Sequence, residues 1–233
     1  MMPRERISLE PAFILHSREY RDTSRILDVF TAGHGRLTLF ARGARGPKSK
    51  LAPLLMPFRP LLLSWSGRGD AAQLTGAETH GEYLALPSRQ VMSGFYLNEL
   101  IISLTTRHDP QAQLFDDYSE ALRRLATDAA PEPTLRVFEK RLLTSLGYGL
   151  EFDVDARTYY RYRVGEELAE VREDAPGAYP GRCLKALQEE NLQDTESLDV
   201  ARRVLRQALD QCLEGRELRT RTVARSMTRR GNQ

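Results

Sequence analysis

Five short runs of β-forming residues, each closed by turn signals, fill the first 80 residues and restrict this region to a small barrel or sandwich. Residues 12–18 are apolar and extended, 21–24 read as a turn, and 26–31 form a second strand. The connection Ala32-Gly33-His34-Gly35 is tight, and residues 36–42 follow as a third strand. Residues 61–66 and 72–80 are the fourth and fifth, separated by Ser66-Gly67-Arg68-Gly69-Asp70. The third strand carries the most information. Strand side chains alternate, so Leu37, Leu39 and Ala41 share one face, and Arg36, Thr38, Phe40 and Arg42 share the other. A basic face bearing an aromatic ring suits a single nucleic-acid strand, with cations for phosphate and a ring for base stacking. Trp65 alternates with Leu61 and Leu63 and is assigned to the core.

Charge sharpens this reading. The 233 residues carry a net charge of only +2, but residues 29–69 hold seven basic side chains and no acid. Such a stretch attracts polyanions. Residues 216–233 add six Arg against one Glu. With 41% hydrophobic residues the chain is globular, and no apolar run is long enough to span a bilayer. The N-terminus lacks the apolar core of a secretory signal. Two widely spaced cysteines, Cys183 and Cys212, point to a reducing, cytoplasmic setting.

Beyond residue 80 the pattern turns helical. Residues 91–104 are almost continuously apolar and predict a helix buried on most sides. Leu114, Phe115, Tyr118, Leu122 and Leu125 recur with helical period. Pro131-Glu132-Pro133 opens a helix whose stripe is Leu135, Phe138, Leu142 and Leu146, ended by Gly147. Residues 159–164 read as a strand, 175–178 as a loop and 183–191 as a short helix. Val200, Val204, Ala208 and Cys212 share a helical face, which makes Cys212 a small core residue. The tail from Leu218 is weakly helical and strongly basic.

No constellation for catalysis emerges. Gly43-Ala44-Arg45-Gly46-Pro47-Lys48-Ser49 lacks the spacing of a phosphate loop, and Pro47 removes a donor; it reads as a flexible basic loop. Glu151, Asp153 and Asp155 alternate and could gather Mg²⁺ for phosphoryl transfer, but no base or nucleophile accompanies them. The four histidines show no metal-ligand spacing. The expectation is a binding protein with no catalytic residue, no cofactor and no metal.

A series of motifs then resembles one family. It comprises Ala12-Phe13-Ile14-Leu15-His16-Ser17-Arg18, Asp22-Thr23-Ser24, Leu27-Asp28-Val29-Phe30-Thr31 and Gly35-Arg36-Leu37 with Ala41-Arg42-Gly43-Ala44-Arg45. It continues through Pro57-Phe58-Arg59-Pro60-Leu61-Leu62-Leu63, Tyr96-Leu97-Asn98-Glu99-Leu100, Phe138-Glu139, Leu146-Gly147-Tyr148-Gly149 and Leu184-Lys185-Ala186-Leu187. In this order over nearly the whole chain, they resemble the RecO family of bacterial DNA-repair proteins. The resemblance implies an α+β protein: a five-stranded OB-fold barrel over residues 1–80, then a mainly helical domain over 81–233 with a small mixed insertion around 150–182. It implies a recombination mediator that binds single- and double-stranded DNA and anneals complementary strands. With RecR, such a protein helps to load RecA onto DNA coated by single-stranded-DNA-binding protein. That makes RecA an indirect partner, the location cytoplasmic and nucleoid-associated, and no membrane is involved. Some members hold zinc through four cysteines; with two, this chain resembles the zinc-free, enteric-type branch.

Arg36, Phe40, Arg42, Arg45, Lys48, Lys50, Arg59 and Arg68 are therefore the expected DNA contacts. The family also binds the acidic, Phe-ending tail of the single-stranded-DNA-binding protein. That implies an apolar pocket ringed by cations, expected at Leu135, Arg136, Phe138, Lys140 and Arg141, with Arg219, Arg221 and Arg225 at its rim. The alternative is a generic OB-type nucleic-acid-binding module without mediator activity.

Overall fold

A computed structural model describes residues 6–46, 49–67, 69, 72–151 and 153–231. Strand β1 (Arg6–Tyr20) pairs antiparallel with β2 (Ser24–Thr31), which pairs with β3 (Gly35–Ala41). Strand β4 (Leu61–Ser66) lies between β1 and β5 (Ala72–Thr79). A short parallel contact, Leu39 with Ala72 and Phe40 with Gln73, closes the barrel in the order β1-β2-β3-β5-β4. Closure selects the OB-fold barrel over the sandwich. Register shifts at Ile7/Glu10 and Ile14/His16 let one long β1 curve around to serve both β2 and β4.

Alternation fills the interior as expected. Ile14, Leu27, Val29, Leu37, Leu39, Leu61, Leu63 and Trp65 form the core. Truncating one of these to Ala costs about 2–5 kcal/mol through lost burial and the cavity left behind. The connection from β3 to β4 departs from the flexible loop expected of it. Within its described part, Ala44 and Leu55 are fully buried, and Leu51 and Leu54 pack against the barrel core. Apolar residues interleaved with the basic ones pin it down.

Helices α1 (Val91–Leu104) and α2 (Ala112–Thr127) cover part of the barrel's outer surface. Phe13 meets Phe115 at 5.3 Å and Tyr118 at 5.1 Å between ring centroids, and Phe30 meets Phe115 at 5.6 Å. The buried Asn98 amide donates to the Leu15 carbonyl at 2.8 Å and accepts from the Tyr118 hydroxyl at 2.5 Å. Burial pushes that hydroxyl's pKa far above its ordinary value. Both faces of the middle of β1 are thus buried: Ala12 and Ile14 inside, Phe13 and Leu15 beneath helices.

By compactness the chain forms two units, Met1–Thr127 with Val223–Gln233, and Asp128–Thr222. The second contains α3 (Glu132–Ser145), a three-stranded sheet in the order β7-β6-β8, α4 (Gly181–Gln188) and α5 (Thr195–Cys212). Its strands are β6 (Tyr159–Arg161), β7 (Ala169–Val171) and β8 (Ala178–Pro180). Asp194 caps α5 by accepting from the Ser197 N–H at 2.8 Å. Cys183 is fully buried, whereas Cys212, the last residue of α5, is half-buried rather than a core residue. The last helix, α6 (Arg219–Gly231), crosses the boundary between the units.

Candidate nucleic-acid interface

The outer face of β1–β2–β3 is a ladder of cross-strand rungs. From its open end these are Arg18–Ile26–Phe40, then His16–Asp28–Thr38, then Phe13–Phe30–Arg36. The lowest rung lies among α2 aromatics and the chain after α1. There the half-buried Arg36 donates from Nη2 to the Thr105 carbonyl at 2.8 Å and from Nε to Thr105 Oγ1 at 3.3 Å. On the middle rung Thr38 is buried; its hydroxyl donates to Asp28 at 3.0 Å and accepts from Arg107 at 2.6 Å.

The upper rung is free of the helices but not fully open: Arg18 is exposed, whereas Ile26 is buried. Phe40 is half-buried and meets Tyr20 edge-on, with centroids 5.6 Å apart. Tyr20 is 37% exposed, and the Arg21 guanidinium lies 5.2 Å from its ring centroid. Arg42 is exposed just beyond β3. Arg45 bonds the Arg21 carbonyl at 3.1 Å and pairs with Glu19 at 2.8 Å, tying the β3 exit to the β1–β2 turn. The structure therefore brings Phe40 and Arg45 to Tyr20 and Arg21 at the β1–β2 turn, with Arg42 exposed at the β3 exit. From sequence, Arg21 enters only as the first residue of the 21–24 turn, and Tyr20 is not singled out. Their signal was available: an aromatic and an arginine at the tip of a hairpin paired with the basic strand.

The other expected DNA contacts are dispersed. Lys50 is exposed. Arg59 donates to the Pro53 carbonyl at 3.2 Å and lies 4.6 Å over the Tyr83 ring. Lys48 and Arg68 lie outside the described residues. Glu151, Asp153 and Asp155 are all exposed, and among the described residues no three His, Cys, Asp or Glu side chains are placed to hold a metal ion. No described helix is long and apolar enough to cross a membrane.

Comparison with known proteins decides the family. The model of the recombination protein O N-terminal region matches residues 6–83, and that of its C-terminal region matches 89–222. The chain belongs to the RecO family. It is 40% identical to the DNA repair protein RecO of Serratia proteamaculans over 230 residues, covering 95% of each chain. It is 41% identical to that of Coxiella burnetii over 229 residues, covering 94% of this chain and 98% of the relative. It is also 38% identical to that of Methylococcus capsulatus, covering 95% of this chain and 94% of the relative. The two family models divide near residue 85, whereas compactness groups α1 and α2 with the barrel.

In this RecO-family chain three of the cations expected to bind a partner tail, Arg136, Lys140 and Arg141, are already paired with carboxylates. Phe138 is fully buried and Leu135 half-buried. Arg136 pairs with Glu139 at 2.6 Å, their side chains only 11% and 2% exposed. Lys140 donates to the Gln188 carbonyl at 2.5 Å and to Glu190 at 3.1 Å. Arg141 grips Glu190 through two hydrogen bonds, of 2.5 and 3.1 Å. Burial works against ionisation of Glu190, but bonds from Arg141 and Lys140 outweigh it and hold its carboxyl below the usual range. Arg219 is exposed, Arg221 pairs with Asp210, and the Arg225 side chain lies outside the described residues.

Proposed function

We propose that this chain is a non-catalytic, cytoplasmic recombination mediator. It binds single- and double-stranded DNA, anneals complementary strands and, with RecR, helps to load RecA onto DNA coated by single-stranded-DNA-binding protein. The observation that carries the DNA-binding part is the pairing of the Tyr20 and Phe40 rings beside Arg21, with Arg42 exposed at the β3 exit and Arg45 held by Glu19 as their support. Rings stack on bases without sequence preference, and guanidinium forks hold phosphate. Lys50, and Lys48 and Arg68 beyond the described residues, extend the same charge along the chain. Arg36, bonded to Thr105, serves in this reading as the tether of the covered end.

The test is annealing of complementary oligonucleotides pre-coated with the cognate single-stranded-DNA-binding protein. Acceleration without nucleotide or metal is the expected result. Binding of naked DNA without annealing of coated strands would favour the generic module or make RecR a required partner, which adding RecR to the assay separates. Neutralising about five phosphates would give a log–log salt slope of roughly −3 to −5. For the acidic tail, the proposed site is α3, where the tail's carboxylates exchange with Glu190 at Lys140 and Arg141. Arg141→Ala should then weaken binding of a tail peptide while sparing naked DNA; unchanged peptide affinity removes this site.

A further inference from the structure

The second compact unit holds a cleft of about 480 Å³. Its floor is apolar and aromatic: Leu150 and Tyr162 are buried, Ala208 of α5 closes the base, and Tyr148 stands at the mouth 46% exposed. Its rim is anionic. Glu151 and Asp153, and Glu166 and Glu167 from the β6–β7 connection, line it. All four are exposed. Glu166 pairs loosely with Arg163 at 3.6 Å. Glu151, Asp153 and Glu167 have no ion pair among the described residues. Among the described residues the cleft's lining contains no cation. Burial, and then the neighbouring Cys212, push the Tyr162 hydroxyl up to about 12, so this tyrosine stays neutral.

An exposed ring and exposed carboxylates lining one cleft have the chemistry of a guanidinium receptor. The ring takes the flat face of the cation and the carboxylates take its fork. The same rim repels a phosphate backbone, so the occupant is not nucleic acid. A second observation identifies it as a peptide. Leu168 lines the cleft and leads directly into β7 (Ala169–Val171), an edge of the three-stranded sheet. An extended segment added along that edge would gain main-chain hydrogen bonds beside the cleft, with alternate side chains delivered into it. We propose that this cleft docks an arginine-bearing, extended segment of a protein partner, which pairs with β7 and places an arginine between Tyr148 and the four carboxylates.

The test is a titration of the isotope-labelled full chain with acetyl-Gly-Arg-Val-Arg-Gly-amide, followed by amide chemical shifts. Shifts concentrated at Tyr148–Glu151 and from Gly165 to Val171 are expected. The triple variant Glu151→Gln, Asp153→Asn, Glu167→Gln changes only exposed groups at constant size. It should raise the peptide's Kd by about tenfold, and Tyr148→Ala by several fold. DNA affinity should hold or rise slightly in both. Equal binding of the peptide with Glu in place of Arg, an unchanged Kd in the triple variant, or shifts confined to other residues would each overturn the proposal. Spermidine saturating the cleft as tightly as the peptide, with β7 unperturbed, would overturn the peptide assignment. Salt-sensitive dimerisation of the free chain that the triple variant abolishes would make a second copy the occupant, and would overturn it too.

Discussion

The two ends of β3 differ in fate although they share one strand and one composition. At the lower end Arg36 and Thr38 are claimed by Thr105, Arg107 and Asp28. At the upper end Phe40 and Arg42 face a hairpin tip that carries another ring and another arginine. An arginine on a basic strand is thus bound into the scaffold or left exposed depending on what the chain 69 residues later lays over it. The covered end fixes the strand so that the open end presents its groups in a set geometry.

The largest effect that would break this comparison lies at Gly35. Its φ is +65°, and a Cβ there would lie 2.2 Å from the Asp109 carbonyl oxygen. His108 also donates its N–H to the Arg36 carbonyl at 2.9 Å, so the incoming segment cannot simply retreat. Gly35→Ala should cost about 2–4 kcal/mol in urea unfolding. Unchanged stability would mean that the lower end is not locked. Next come the rings: Tyr20→Ala and Phe40→Ala should each weaken single-stranded DNA binding by about 1–3 kcal/mol if a base stacks there. Arg42→Ala should reduce the salt slope by about one with a smaller loss of affinity, whereas Arg36→Ala should leave the slope unchanged and lower stability by about 1 kcal/mol. Equal DNA phenotypes for Arg36 and Arg42 would erase the distinction between the ends.

Most of the barrel was legible because period two and turn residues are local signals. Leu37, Leu39 and Ala41 face inward as alternation requires, and Trp65 is core. The covering of Arg36 was not legible, because Thr105 is 69 residues away and nothing in a strand pattern reports what lands on its polar face. Tyr20 and Arg21 are not legible for a related reason: turn residues mark where the chain reverses, not which strand the tip stands beside. In the second unit the α3 stripe was legible from its helical period. The neutralisation of Lys140 and Arg141 was not, because their partner Glu190 follows a later helix and sits at φ +58°. β7 and β8 are three residues each, too short to show a period.

The smallest effect tests whether the second unit's cations are scaffold in the same sense as Arg36. The Glu190 carboxyl is held below its unfolded value, so its contribution to stability is present above the ordinary carboxylate range and is lost as pH falls through the folded value. Its side chain is 25% exposed, which keeps the contribution at about 1 kcal/mol or less. Urea unfolding of the full chain from neutral pH down to about pH 3 should show this loss superimposed on that of the other carboxylates. Glu190→Gln should remove it, flattening the acid limb while lowering stability at neutral pH. An unaltered acid limb in the variant would mean that Lys140 and Arg141 do not depend on Glu190 for their place. They would then be cations of the open kind, comparable with Arg42 rather than with Arg36.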